Sequence, residues 1–211
     1  MKYGKTNQYP NSKNQKSQQL KANSQQPKTM NFIELAKHRQ SVRKYTDQPV
    51  EKEKLEKCLE AARLAPSASN SQPWHFIVVD EPELKNKVAH HTYDSLISFN
   101  KFVPQAPVLV VIVLEKPKVI TQIGDVIKKK KYPVIDMGIV AEHFCLQAAE
   151  LGLGTCMLGW FNQKPIQKLL NIPEKKEIGL IITLGYPPED YKLRKKIRKE
   201  MNEIVTYNTY K

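Results

Sequence analysis

Leu55, Cys58, Leu59 and Ala62 fall at i, i+3, i+4 and i+7, with charged residues between them. That spacing lines one face of an α-helix and predicts an amphipathic helix from about Glu51 to Ala65. Pro66 ends it, because proline donates nothing to the helix ladder and restricts the residue before it. Upstream, Asn31 and Glu34 have capping-box spacing, which predicts a helix running to about Arg39. A turn follows at Asp47-Gln48-Pro49. Further along, the pattern shortens. Trp74 to Val79 is an apolar run of strand length. Pro107 to Leu114 is β-branched and apolar at successive positions, so it reads as a strand buried on both faces in mid-sheet. Ile178 to Leu184 is a third strand, stopped by Gly185-Tyr186-Pro187-Pro188.

Asp80-Glu81-Pro82 opens another helix, expected to extend as far as Ser98. Pro133 to Leu151 reads as a long helix, apolar nearly all round, with Ile135, Ile139, Val140, Phe144, Cys145 and Leu146. Such a helix is buried within a domain or between subunits. Gly152 and Gly154 close it. Strands and helices intermix without internal repeat, which predicts one α/β or α+β sandwich over residues 30–211. Met1 to Thr29 carries Leu20 as its only large aliphatic residue. It cannot bury enough apolar area to offset its ordering entropy, and is read as a disordered tail, either a leader or an upstream extension.

Composition narrows this picture. The longest apolar run, Val108 to Leu114, is far below the roughly 20 residues of a membrane span. No membrane association and no secretory signal are expected. The three cysteines, Cys58, Cys145 and Cys156, form no C-x-x-C pair. A disulfide framework or zinc site is not expected, and a reducing cytoplasm fits best. Of the net charge of +13, six lysines in residues 1–29 supply +6. The other lysines are scattered, Lys128 to Lys131 forming a solvated basic loop, and no nucleic-acid module is present. A basic surface that attracts an anionic nucleotide cofactor is therefore preferred over nucleic-acid binding.

Two stretches could carry chemistry. Arg39, Ser41 and Arg43 lie at spacing two just past a helix end, so an extended segment would point them to one side. Two guanidinium forks and a hydroxyl suit a phosphate monoester. A solvated basic turn with Ser41 as a cap is equally compatible with the local sequence. Pro66 to Pro73 is crowded with Ser67, Ser69, Asn70, Ser71 and Gln72. It suits either hydrogen bonding to a heterocycle or sugar, or a turn cluster before the strand. Cys156, in an apolar run, reads as a packed, inert thiol. Trp160-Phe161 could line a pocket or pack. His90-His91 reads as surface, since adjacent residues diverge in a helix.

Taken together, R-x-S-x-R, then P-S-x-x-N-x-Q-P-W, then Gly152 to Gly159, then Leu184-Gly185-Tyr186-Pro187 with Lys196 and Arg198, resemble the nitroreductase family in order and spacing. The resemblance spans roughly Asn31 to Val205. It implies a nitroreductase-like α+β fold, a central mixed or antiparallel sheet flanked by helices, in an intertwined homodimer. It implies FMN as cofactor, NAD(P)H as co-substrate and a planar acceptor such as a nitroaromatic or quinone, reduced by a ping-pong mechanism. It assigns Arg39, Ser41 and Arg43 to the FMN phosphate and ribityl chain. Gln40 is placed with them, although the family often has Arg or His there. Pro66, Ser67, Ala68 and Asn70 match a loop reaching the flavin bound mainly by the partner subunit. Met157, Leu158 and Gly159 match backbone positions against the isoalloxazine ring, Gly159 near flavin N5. Lys196 and Arg198 match late basic residues facing the phosphate. A further contact is expected from the region Tyr93 to Asn100. Alternatives within the resemblance are a reductive dehalogenase or flavin-modifying relative, and a non-catalytic flavin-binding protein.

Overall fold

The computed structural model describes residues 30–94, 98–117 and 130–210. The tail over residues 1–29, Lys128 and Lys129 of the expected basic loop, and residues 95–97 of the expected flavin-contact region lie outside the described residues.

Alternation along one strand organises the fold. β2 (Val108–Leu114) sends Leu109, Val111 and Val113 to one face, and Val108, Val110 and Ile112 to the other. Both faces are buried, as the unbroken apolar run predicts. β2 lies between β1 (Trp74–Val79) and β4 (Glu177–Gly185), and β3 (Gly154–Leu158) pairs with β4. The sheet order is β1-β2-β4-β3 and every strand pair is antiparallel.

One face is covered by α2 (Lys52–Arg63), which buries Leu55, Cys58 and Ala62, and by α4 (Tyr132–Glu150), which buries Val140, Phe144 and Cys145. The other carries α3 (Pro82–His90), a short 3-10 turn at Val103–Gln105 and α5 (Gln163–Leu169). α1 (Phe32–His38) starts at Asn31 with the expected reciprocal capping box: Glu34 N–H donates to Asn31 Oδ1 at 3.0 Å, and Asn31 N–H to Glu34 Oε2 at 3.1 Å. α6 (Met201–Ile204) closes the chain.

The structure corrects three expectations. α3 stops at His90, well before Ser98, because Thr92 turns back and its hydroxyl donates to the Ala89 carbonyl at 2.7 Å. The run after α4 holds a strand, β3, so the described residues form four strands where the sequence suggests three. Its flanking glycines mask it, since glycine is depleted in strands. α5 and α6, too short for a clear helical period, are additions. Val134 and Ile135 of α4 are exposed in the single chain.

α4 ends in a Schellman motif. Gly152 takes φ +76°, its N–H reaching Ala149 O at 3.1 Å, while Leu153 N–H reaches Ala148 O at 2.8 Å. Glycine suits that left-handed position because it has no Cβ.

Candidate active site

The Arg39–Arg43 stretch is pinned along the free edge of β3. Ser41 forms a parallel bridge with Thr155, and Val42 N–H donates to Thr155 O at 2.8 Å. Gly154 permits the approach, since a Cβ there would lie 2.7–2.9 Å from the Val42 side chain. Tyr45 supports the stretch from behind, its hydroxyl lying 2.9 Å from Val42 O and 2.6 Å from Thr183 Oγ1.

The two arginines separate. Arg39 turns toward α4, where its Nε and Nη2 lie 3.1 and 3.0 Å from Glu142 Oε1. Arg43 lines a cleft of about 570 Å³ with Phe99, Asn100, Met157, Leu158, Gly159 and Trp160. Gly159, at the exposed end of β3, has open space where a Cβ would stand. Asn100 is buried, and its amide donates to Thr92 O at 3.0 Å and Trp160 O at 3.2 Å. Asn100 and Phe99 thus bring part of the Tyr93–Asn100 region to the cleft. Trp160 lines it half-exposed, whereas Phe161 packs against the core.

A segment of the C-terminal tail crosses the clamp. Gln40 Oε1 accepts from Arg194 N–H at 3.1 Å, and Gln40 Nε2 donates to Lys192 O at 3.3 Å. Arg194 also donates to Ser41 O, Lys196 Nζ to Arg39 O, and Tyr191 Oη accepts from Arg43 N–H at 3.0 Å. Arg198 donates to the carbonyl of its neighbour Ile197 at 2.7 Å. Lys196 is held below the ordinary lysine range, by burial first and then by the positive charges of Arg39, Arg198 and Arg194. Like charges gathered this closely disfavour the protonated amine, and the Glu142 carboxylate offsets them in part. Arg194 and Tyr191 escape sequence reasoning; their only signal is membership of the basic tail.

The second stretch folds elsewhere. Ala68–Asn70 form a 3-10 turn, and Ser69, Asn70 and Gln72 take φ of 51°, 49° and 48°. Non-glycine residues there cost about 1–3 kcal/mol each and cluster at functional sites. Ser67 Oγ accepts from Gln72 N–H at 2.9 Å, and Gln72 Nε2 donates to Asn70 Oδ1 at 2.9 Å. Both carboxylate oxygens of Asp136, buried on α4, lie 3.2 Å from Ala68 N. None of residues 66–72 lines the Arg43 cleft.

Burial pushes the Cys58 and Cys145 thiols up to about 12, and raises Cys156 despite the opposing pull of Arg43, a Ser41 hydrogen bond and Arg194. The thiolate is the reactive form. We therefore expect no alkylation of the native protein by iodoacetamide at pH 8, and three adducts by mass spectrometry after unfolding. Rapid native labelling of Cys156 would contradict its packed role.

A four-stranded antiparallel sheet carries helices on both faces, with an Arg43-lined cleft at one edge and Arg194 and Lys196 of the C-terminal tail beside the same edge. The chain belongs to the nitroreductase family, whose model matches residues 36–101 and 97–186. A protein of Archaeoglobus fulgidus with the provisional name NADH dehydrogenase/NAD(P)H nitroreductase is 35% identical over 160 residues, 72% of this chain and 83% of that protein. The solved FMN-dependent nitroreductase of Clostridium difficile R20291 superposes with a TM-score of 0.69 at 32% identity, covering 85% of this chain and 100% of the other. An iodotyrosine deiodinase of Thermotoga neapolitana is 26% identical over 85% of this chain and 98% of its own length. Among the described residues no helix is long and apolar enough to cross a membrane.

Proposed function

We propose that this chain is an FMN-dependent oxidoreductase that passes electrons from NAD(P)H to nitroaromatics, quinones or similar planar acceptors. The observation that carries the reading is the convergence of Arg43, Arg194, Lys196 and the Arg39 backbone on the β3 edge, beside a cleft walled by Met157, Leu158, Gly159 and Trp160. The residues fit the cofactor. The cations suit a phosphate near −2 charge, and the exposed backbone end of β3 can lie along a flat ring without side-chain obstruction at Gly159. Bound FMN supplies the two-electron chemistry, accepting hydride from NAD(P)H and returning electrons to the acceptor. The protein's share is to hold and orient. Arg43 and Lys196 hold the phosphate end, Ser41 and Gln40 shape the segment between them, and Arg198 extends the positive field. Trp160 and Phe99 offer apolar faces against which a planar acceptor can stack. One cleft serving donor and acceptor in turn gives ping-pong kinetics.

A homodimer is part of this proposal. Exposed Phe32 lines a groove with Leu35, Ala61, Ile139 and Leu146, between α1, α2 and α4, and Ile33, Leu64 and Ile135 are also exposed. Ile197, Met201, Ile204, Tyr207 and Tyr210 are exposed along the C-terminal tail. Apolar surface on that scale calls for a partner, and a second copy would bring a Pro66–Gln72 loop to the other chain's cleft.

Purified protein loaded with FMN should oxidise NADH or NADPH when a quinone is added, with parallel lines in double-reciprocal plots. A flavin that neither nucleotide reduces would sink the proposal. The likeness to the deiodinase favours reductive dehalogenation as a second reading; halide release from a halogenated phenol, without quinone turnover, would select it.

A further inference from the structure

Asp136 is a buried carboxylate that the functional reading does not use. It sits near the start of α4, against the 3-10 turn of the loop over residues 66–72. We infer that Asp136 is a positioning residue that holds this loop in its flavin-facing shape through the Ala68 N–H. The inference rests on the proposed reading that the loop faces FMN.

Three features carry it. Both Asp136 oxygens are placed to accept from the same backbone N–H, at 3.2 Å, a charge-assisted contact that links residues 68 positions apart. The loop needs an outside anchor, since Ser69, Asn70 and Gln72 all hold left-handed φ. The bonds from Gln72 N–H to Ser67 Oγ and from Gln72 Nε2 to Asn70 Oδ1 close within the loop. Asp136 instead ties it to α4, whose packing against the sheet gives a rigid base. The same helix, six positions on, carries Glu142, the partner of Arg39. One helix thus holds a carboxylate against each of the two stretches that define the site.

The test uses the full-length chain reconstituted with FMN. Asp136→Ala should speed hydrogen exchange of the 68–72 amides at least about tenfold and weaken FMN binding about tenfold, as expected for loss of one charge-assisted bond. Asp136→Asn, which keeps an acceptor oxygen, should restore most of both. Ala68→Pro removes the donor without touching α4, and Ser67 already has the extended conformation that precedes proline, at φ −146° and ψ 158°. It should reproduce the FMN loss, and the double variant should lose no more than either single one. Unchanged exchange in Asp136→Ala, or losses that add in the double variant, would overturn the role of Asp136. Faster exchange with unchanged FMN affinity and turnover would instead overturn the reading that this loop faces the flavin.

Discussion

Replacing Arg39 and Arg43 together by alanine is expected to strip FMN from the protein. A charge-assisted hydrogen bond contributes about 1.5–3 kcal/mol, so loss of the Arg43 contact alone represents roughly one to two decades in affinity, and the Glu142 charge freed by loss of Arg39 adds to it. The structure also orders the single variants. Arg43 lines the cleft and has no carboxylate partner among the described residues, whereas Arg39 is engaged by Glu142. Arg43→Ala should therefore cost more than Arg39→Ala, although Arg39→Ala leaves Glu142 without its cation near an anion site. Fluorescence titration with FMN measures both, and dialysis followed by an absorbance spectrum gives the double variant directly. A double variant that stays yellow after dialysis would mean that the phosphate is held elsewhere, with Arg194, Lys196 and Arg198 the next residues to replace.

That ordering shows how far the sequence reached. Spacing two in Arg39, Ser41 and Arg43 is local information, and the extended segment that it implies is there, paired with β3. Local spacing cannot say what each side chain meets. Glu142 lies 103 positions from Arg39, and Arg194 lies 153 from Ser41. The i, i+2, i+4 argument sends the two arginines to one anion; a carboxylate on a packed helix draws Arg39 toward α4. The elements divide in the same way. β2 and α2 were legible because burial on a face imposes a period, and the period survives in the residues. β3 was hidden because it opens on glycines with other duties: Gly152 ends α4, and Gly154, its own first residue, admits Val42. The end of α3 was hidden because it depends on Thr92, whose carbonyl accepts from the Asn100 amide eight positions on. The strain in Ser69, Asn70 and Gln72 could not be foreseen either, since only the asparagine is a residue type that tolerates left-handed φ readily.

The second large effect is expected at Gly154, where fold and site depend on the same contact. A Cβ there would fall 2.7 Å from Val42 Cγ2, 2.8 Å from its Cβ and 2.9 Å from its Cγ1. Val42 Cβ cannot rotate away, so the backbone itself must give. Val42 is buried, and its N–H holds the clamp segment to Thr155. Gly154→Ala should therefore destabilise the protein by about 1–3 kcal/mol through overpacking. Because the strain falls on the strand edge that carries Ser41 and Arg43, FMN affinity should drop as well. Val42→Gly removes all three obstructing atoms and by itself costs their burial and some backbone entropy. Combining the two changes should recover stability relative to Gly154→Ala, an interaction that two unrelated lesions would not show. Thermal unfolding and FMN titration on the four proteins of the cycle decide it. If the costs simply add, the close approach at Gly154 is not what fixes the clamp against β3.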